Sequence, residues 1–240
     1  MRCVFSKKWE RRGTDMSAVA IITARGGSKR IPKKNIKDFC GKPIIAYSIE
    51  AALSSRLFDE VMVSTDSEEI AAVARHYGAK VPFMRSAKTS DDFATTADVL
   101  QEVISEYEKR GQKFDTMCCI YPTAPFVTAD KLQAAYKKLM ESDADLVQPV
   151  VAFSFPPQRA FVIREGQLTY RYPEYAPMRS QDLENWYHDA GQFYFHRVEA
   201  FMNKGTLKNI PFELPETEVQ DIDNLTDWEL AEMKYRLMRK

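Results

Sequence analysis

A basic segment, RGGSKRIPKKN at residues 25–35, directly follows the apolar run AVAIITA. It holds two arginines, three lysines and the adjacent pair Gly26 and Gly27. We expect the two glycines to let the backbone turn sharply and approach a ligand closely. Clustered cations and loop N–H groups suit a polyphosphate, although the spacing is neither Walker A nor a dinucleotide fingerprint. The segment therefore predicts a nucleoside triphosphate site of another type, with a solvated basic loop as the alternative.

A second group of residues that could do chemistry is acidic. Asp221 and Asp223 are two residues apart, so in an extended segment both carboxylates point to one face. They repel each other unless a cation lies between them, and Mg²⁺ takes carboxylate oxygens together with water and substrate phosphates. The alternative is a cap of the final helix, for which Asp223, Asn224 and Thr226 are all candidates. Asp66, with Glu69 three residues later, is predicted to start an earlier helix.

The elements that position these residues alternate regularly. Four amphipathic stretches of helix length separate short apolar runs of strand length between residues 18 and 153. This alternation predicts βαβ units and a mostly parallel sheet, in which ligands bind at the carboxyl ends of the strands. The basic loop lies at that edge. The runs predicted as strands are AVAIITA, EVMVST, KVPFM, DTMCCIY and ADLVQPVVAF.

The alternation stops after residue 153. Residues 154–190 contain four prolines and two predicted strands around a REGQ turn, which favours a small inserted β-rich lobe. The sheet is expected to resume at GQFYFH, and LTDWELAEMKYRLMRK is the final helix. Residues 1–16 have no apolar core of a signal peptide. We interpret them as a disordered leader, or as the result of a start codon placed too early, with Met16 the native start.

The composition excludes several classes of function. Lysine plus arginine equals aspartate plus glutamate at 34 each, which argues against non-specific nucleic-acid binding. No apolar stretch approaches the roughly 20 residues that span a membrane. The adjacent Cys118 and Cys119 are expected to be buried on opposite faces of a strand, and no CxxC pair is present. The sequence thus predicts a protein of a reducing compartment, the cytoplasm.

Several motifs, in order along the chain, carry a resemblance to a known family. RGGSKRIPKKN, VMVSTDSEEIAAVARHYGA, PFMRSAKTSDDFATTADV, YPTAPF, HDAGQFYF and VQDIDNLTDWELAE resemble the segments of the cytidylyltransferases that activate nonulosonic acids, the CMP-sialic acid synthetase family. The chain departs from the sialic acid enzymes at Arg30, Tyr121 and Ala124, where glycine, glutamine and serine are usual. At these positions, and in the segment YAPMRSQDLENWYHDAGQFYF, the sequence is more similar to the branch of the family that uses pseudaminic acid.

The resemblance implies a Rossmann-like, three-layer nucleotidyltransferase fold. It also implies that the protein is a homodimer, held together through the inserted lobe at residues 154–190. It implies transfer of CMP from CTP to a nonulosonic acid, with Mg²⁺ as the cofactor and no covalent intermediate. Arg25, Lys29 and Asp223 would be the catalytic residues, and Asp221 and Asp223 the metal ligands. The residues implied to bind the nucleotide are Arg25, Gly26, Gly27, Ser28, Lys29, Lys34, Asn35, Arg85, Asp92 and Thr96. Arg30 and Lys33 are expected at the rim, and an N-cap is the alternative role for Asp92.

The sugar side rests on two arguments. An arginine fork binds a carboxylate well, and PMRSQ is similar to the family's sugar-binding stretch, so Arg179 and then Arg159 are the candidates. Gln192 and Tyr194 are two apart in a strand, and both could face the pocket. His188 and Asp189 either contact sugar or cap a turn. Other open alternatives are neuraminic, legionaminic or octulosonic acid as the acceptor, and a nucleotide-binding regulator without catalysis.

Overall fold

The computed structural model describes residues 16–239, so the predicted leader lies outside the described residues apart from Met16. Four of the five apolar runs predicted before residue 153 become strands, and this part of the chain has eleven strands in all. They are β1 (Ala18–Thr23), β2 (Asp38–Phe39), β3 (Lys42–Pro43), β4 (Glu60–Ser64), β5 (Thr116–Ile120), β6 (Leu146–Ala152), β7 (Phe161–Arg164), β8 (Gln167–Tyr170), β9 (Tyr187–Asp189), β10 (Phe193–Arg197) and β11 (Asn209–Glu213).

The described residues form six α-helices, of which five lie close to their predicted positions and the short one at Val198–Met202 was not predicted. They are α1 (Ile44–Ser55), α2 (Glu68–His76), α3 (Thr96–Lys109), α4 (Ala129–Met140), α5 (Val198–Met202) and α6 (Leu225–Met238). Helix α3 begins with a capping box between Thr95 and Asp98, and α6 with one between Asn224 and Asp227. None of the described helices is long and apolar enough to cross a membrane.

Seven strands form the central sheet, in the order β11-β6-β10-β5-β1-β4, with β9 also paired to β6. The pairs β1–β4, β1–β5 and β6–β11 are parallel, and β9 and β10 run antiparallel to their neighbours. Both β9 and β10 pair with β6. Asp189 and Phe195 are six positions apart, whereas their partners Val150 and Val147 are only three positions apart. The antiparallel strand is therefore interrupted between Asp189 and Phe193.

Helices cover both faces of this sheet, which gives three layers. Alternate residues of β1 and β5 point to opposite faces, so Cys118 joins the core formed with α1, α2 and α4, whereas Cys119 joins the core formed with α3 and α5. Both thiols are buried, and burial raises their pKa values. The predicted Rossmann-like α/β fold with a mostly parallel sheet is confirmed.

A third core lies beside the sheet and holds α6. Phe39, from the β2–β3 hairpin, is fully buried and meets the rings of Tyr47, Trp228 and Tyr235 edge-on, with centroids 5.5–5.6 Å apart. Ile31, within the basic segment, and Ile222, between the two acids, belong to the same cluster. The aromatic cluster thus connects the basic segment to the acidic pair.

Two predictions about elements were wrong. The run KVPFM forms only an isolated bridge between Lys80 and Met62. Helix α2 starts at Ser67, whose hydroxyl accepts a hydrogen bond from the Ile70 N–H, and not at Asp66. Strand β11, which contains Pro211, was not predicted. It is an edge strand of the sheet, where the missing N–H of proline is tolerated.

Residues 154–190 contain the two-stranded β7–β8 hairpin, which turns at Glu165 and Gly166, both with positive φ. The most exposed large apolar side chains of this segment are Phe155 (86%), Ile163 (76%) and Leu168 (62%). The segment returns to the central sheet through β9. Its role as a dimerisation lobe stays a prediction.

Candidate active site

The carboxyl ends of three parallel strands meet at one edge of the sheet. Ile22 of β1 lies beside Val63 of β4 on one side and beside Ile120 of β5 on the other. Just beyond these positions, the chain enters the basic segment, the turn with Thr65 and Asp66, and Tyr121. The sequence expectation that the basic segment lies at the ligand-binding edge follows from this register.

The basic segment is held by hydrogen bonds to its backbone. The N–H of Gly26 donates to Asp66 Oδ1 (2.8 Å), and the Asn35 side chain donates to the Arg25 carbonyl (2.9 Å). Ser28 Oγ donates to the Ile31 carbonyl (2.6 Å). A small cavity beside α2 is lined by predicted nucleotide-binding residues, namely Arg25, Gly26, Ser28, Lys34 and Asn35.

The structure shows which of the two glycines is constrained by the rest of the chain, and their approach to a ligand stays a prediction. Neither Gly26 nor Gly27 has a positive φ, and the left-handed residue of the segment is Lys33 (φ 52°). A Cβ at Gly26 would lie 3.2 Å from the Ser67 Cβ, whereas a Cβ at Gly27 would meet no atom within 4 Å. Glycine is therefore required at position 26, because the backbone there lies close to the start of α2. At position 27 neither a clash nor the backbone angle requires glycine.

Arg25 and Lys29 converge on one carboxylate. Arg25 Nη1 lies 2.9 Å from Asp92 Oδ1 and 3.0 Å from the Asp91 carbonyl oxygen, and Lys29 Nζ contacts Asp92 Oδ2. These bonds, from Lys29 first and then Arg25, hold the pKa of Asp92 below its usual value. The N-cap alternative for Asp92 was wrong, because Thr95 caps α3. The Asp92 carboxylate thus binds the two cations that the sequence predicts to bind phosphate.

The acidic pair faces two cations of the basic segment. Asp223 Oδ1 lies 2.7 Å from Arg30 Nη2, and Lys34 Nζ donates to the Ile222 carbonyl (2.6 Å). Burial lowers the pKa of Lys34, while the charges of Asp223 and Asp221 act in the opposite direction. Both acids are therefore close to the Lys34 ammonium. Asn224 caps α6, so the capping alternative for Asp223 was wrong.

This acidic pair fits the way in which Mg²⁺ is usually held, by one or two carboxylates together with substrate phosphates. Among residues 16–239 no cluster of three or more acidic, histidine or cysteine side chains could hold an ion. An ion bound to Asp221 and Asp223 would thus require oxygens from a ligand or from water. The basic segment contacts Asp223 through Arg30. A triphosphate bound to this segment would therefore bring its oxygens close to Asp223.

Arg85 and Thr96 lie on either side of this edge. Arg85 is 8% exposed, and its guanidinium donates to the Ser64 hydroxyl (3.0 Å) and the Ser64 carbonyl (2.6 Å) at the end of β4. Burial lowers its pKa, although Asp66 lies close enough to oppose that effect. Thr96, the first residue of α3, interacts with the Tyr121 hydroxyl.

On the other side of β5, the break between β9 and β10 brings polar groups to the same edge. The Tyr194 hydroxyl lies 2.8 and 2.9 Å from the two Asp189 oxygens, and the Tyr194 ring packs 5.5 Å from that of Tyr121. Gln192 is 2% exposed and donates to the Glu218 carbonyl (2.6 Å). The structure thus gives Gln192 an internal contact, and its role toward sugar stays a prediction.

The two candidate arginines of the lobe lie near the same short turn. Arg179 forms a fork with both oxygens of Asp182, at 2.7 and 3.1 Å, and Arg159 Nη1 donates to the Ser180 hydroxyl (3.2 Å). Within the part of the chain that the structure describes, these contacts do not extend to the basic segment. The role of both arginines as carboxylate ligands stays a prediction.

Sequence reasoning singled out Asp66 and Asp189 and, for Asp189, the turn cap that its 2.7 Å bond from the Gly191 N–H confirms, but it missed two contacts that organise this edge. Asp66 holds the Gly26 N–H, and Asp189 holds Tyr194. Asp66 directly follows the Thr65 that ends the predicted strand EVMVST, and an acid at the carboxyl end of a parallel strand was the available signal. For Asp189 the sequence indicates only a sugar contact or a turn cap, and its bond to Tyr194 depends on the break between β9 and β10.

A three-layer α/β fold with clustered cations and an acidic pair near the carboxyl edge of its sheet is the arrangement expected of a nucleotidyltransferase. A family model described as Cytidylyltransferase matches residues 19–234. The chain belongs to the cytidylyltransferase family, and the resemblance identified from the motifs is confirmed.

Named relatives agree with this family. The chain is 44% identical over 226 residues to a pseudaminic acid cytidylyltransferase of Campylobacter jejuni, an alignment that covers 92% of this chain and 97% of the relative. It is 34% identical to a CMP-N,N'-diacetyllegionaminic acid synthase of Legionella pneumophila, over 90% and 95% of the two chains. The solved structure of a CMP:2-keto-3-deoxy-manno-octonic acid synthetase complexed with CTP has the same fold, with a TM-score of 0.68, 21% identity and coverage of 93% and 99%.

Proposed function

We propose that this protein transfers the CMP group of CTP to the C2 hydroxyl of pseudaminic acid, and that the product serves bacterial flagellin or surface glycosylation. The observation that carries the proposal is the 44% identity, over nearly the full length of both chains, to a relative named for that reaction. The relative named for legionaminic acid is 34% identical over a similar length. Pseudaminic acid is therefore the first candidate among the nonulosonic acids.

In the proposed reaction the C2 hydroxyl oxygen forms a bond to the α-phosphorus of CTP. The bond from that phosphorus to the oxygen bridging to the β-phosphate breaks, and pyrophosphate leaves with the electron pair. The hydroxyl proton is released. Arg25 and Lys29 neutralise the charge that builds on the leaving phosphates, which is the main electrostatic requirement of such a transfer. Because both cations bind Asp92, the triphosphate must compete with this carboxylate.

Preorganisation of the basic segment supports this role. Asp66 and Asn35 bind its backbone, so the path of the segment is fixed before the triphosphate arrives, and only the side chains of Arg25 and Lys29 exchange Asp92 for phosphate. Lys34 connects the basic segment to the Ile222 carbonyl, beside Asp221 and Asp223. We assign the remaining nucleotide contacts to Gly26, Gly27, Ser28, Arg85 and Thr96.

Asp221 and Asp223 are the residues that would hold Mg²⁺. When bound, the ion supplies positive charge to the phosphate oxygens. In the structure Arg30 is the partner of Asp223, so a cation already occupies the position next to this carboxylate. Competition between Arg30 and a metal ion predicts that removing Arg30 affects the Mg²⁺ requirement.

The remaining assignments concern the sugar and the assembly. We assign Arg159 and Arg179 to the sugar carboxylate, and Gln192 and Tyr194 to its other groups. Residues 17–240 form one cytidylyltransferase domain in this proposal, working in the cytoplasm. The exposed Phe155, Ile163 and Leu168 of the inserted lobe support a homodimer, because apolar clusters of this kind mark protein interfaces.

The test is pyrophosphate release from CTP and Mg²⁺ with four acceptors: pseudaminic, N-acetylneuraminic, legionaminic and octulosonic acid. We expect clear preference for pseudaminic acid. Preference for another acid would retain the chemistry and reject the proposed substrate. CTP binding without pyrophosphate release from any acceptor would favour a nucleotide-binding regulator. Light scattering of the same preparation tests the dimer.

A further inference from the structure

The carboxylate of Asp189 accepts hydrogen bonds on both of its oxygens. Its Oδ1 accepts the Gly191 N–H (2.7 Å), and its Oδ2 accepts from Gln148 Nε2 (3.0 Å). The Tyr194 hydroxyl lies within 2.9 Å of both oxygens. With N–H donors on each oxygen, the carboxylate acts as an acceptor. A tyrosine hydroxyl has one hydrogen, and Tyr194 therefore gives it to Asp189.

The Tyr194 ring packs against that of Tyr121, with centroids 5.5 Å apart. Burial raises the pKa of Tyr194, so the phenol keeps its hydrogen. Since Tyr194 uses this hydrogen on Asp189, its oxygen can offer a ligand only lone pairs.

Tyr121, on which the Tyr194 ring packs, borders the proposed triphosphate site. It directly follows Ile120, which lies beside Ile22 at the end of β1, and the basic segment begins three residues after Ile22. The Tyr121 backbone is fixed on both sides, because its N–H donates to the Gln192 carbonyl (2.9 Å) and its carbonyl accepts from Ser48 Oγ (2.8 Å). Tyr194 is therefore held beside the edge at which the triphosphate is proposed to bind.

We propose that Asp189 is a positioning residue for the acceptor sugar. It takes the hydrogen of the Tyr194 hydroxyl, so that Tyr194 presents oxygen lone pairs to the sugar. The sugar meets this oxygen with a donor, either an amide N–H or a hydroxyl group. The negative charge of Asp189 keeps the sugar carboxylate on the opposite side. This inference rests on the proposed function and adds the orientation of the sugar to it.

The test uses Asp189→Asn and Tyr194→Phe in the full chain, with KM measured separately for pseudaminic acid and CTP. The first substitution would bring N–H hydrogens to the position of an obligatory acceptor, and the second would remove the hydroxyl that Asp189 orients. We expect each variant to raise the KM for the sugar about tenfold, as loss of one hydrogen bond to a charged group does. The KM for CTP should change less than about twofold.

The double variant and a matched control decide the interpretation. Asp189 acts through the Tyr194 hydroxyl, so the double variant should be no worse than the more damaged single variant. Tyr187→Phe removes a hydroxyl from β9, the strand that ends at Asp189, and should leave both KM values unchanged. Additive losses, an equal rise in the KM for CTP, or the same effect from Tyr187→Phe would each overturn the proposal.

The wild-type enzyme separates this inference from the proposed function. If the wild type does not turn over pseudaminic acid, the proposed substrate is wrong, and the variants are then compared with whichever acid it uses. If the wild type is active and both variants keep its KM for the sugar, only the positioning role is wrong. Tyr194→Phe retains the ring that packs on Tyr121, which guards against an effect of misfolding.

Discussion

Replacing Gly26 by alanine should damage the basic segment through one steric contact. The added Cβ would lie 3.2 Å from the Ser67 Cβ, against an optimum of about 3.5–4.0 Å for two carbon atoms. Ser67 cannot easily retreat, because it caps α2. The segment must therefore shift instead, which lengthens the 2.8 Å bond from the Gly26 N–H to Asp66.

The expected size follows from this geometry. Overpacking of a well-packed position costs about 1–3 kcal/mol. For a chain of this length each kcal/mol lowers the melting temperature by about 2–4 °C, so a fall of about 2–12 °C is expected. The displaced N–H groups and cations no longer match the triphosphate, and we expect CTP affinity to fall about tenfold, equivalent to about 1.4 kcal/mol.

Gly27→Ala is the matched control for stability. Its Cβ would meet no atom within 4 Å and its φ is not in the left-handed region. Its free energy of unfolding should change by no more than about 0.5 kcal/mol. Thermal unfolding and calorimetric titration with CTP and Mg²⁺ measure both effects. If Gly26→Ala has the same melting temperature as Gly27→Ala and binds CTP as the wild type does, close approach to Ser67 does not constrain the segment.

Three further changes probe the acidic segment and the interior. Asp223→Ala should cut turnover by orders of magnitude and leave the melting temperature unchanged, because Asn224 caps α6; near-normal turnover in Mg²⁺ would reject the metal assignment. Asn224→Ala should cost about 1 kcal/mol of stability by urea unfolding, and no loss would show that the capping box is dispensable. Burial lowers the pKa of His196 to about 4, so stability should fall as the pH drops from about 6.5 toward 4. His196→Phe should flatten that decline in melting temperature, unless other groups cause it.

The sheet and its helices were predictable because their hydrophobic patterns are local. Strand β1 is a continuous apolar run, and α3 and α6 are amphipathic stretches that end where the pattern ends. Strand β11 was missed, since Pro211 breaks a strand pattern and only its edge position makes it acceptable. The run KVPFM has strand-like composition but finds just one bridge, through Lys80. In both cases the neighbours in space decided the outcome.

The candidate site was predictable in its residue types and not in its pairings. The sequence indicates that Arg25 and Lys29 bind an anion, but the contact with Asp92 joins residues more than sixty positions apart. The choice of Asn224 over Asp223 as the cap depends on backbone angles at the start of α6. The dependence of Gly26 on Ser67 likewise requires the packing of two elements against each other.

The aromatic cluster around Phe39 has a consequence for how the protein opens. It holds Ile31 of the basic segment and Ile222 of the acidic segment in one small core, separate from the two cores of the sheet. If α6 detaches in a local fluctuation, both halves of the site lose their support together while the sheet persists. Amides of α6 and of the 31–47 region should then exchange with deuterium as one unit. A ligand bound across the two segments would slow that exchange at a distance from its own contacts.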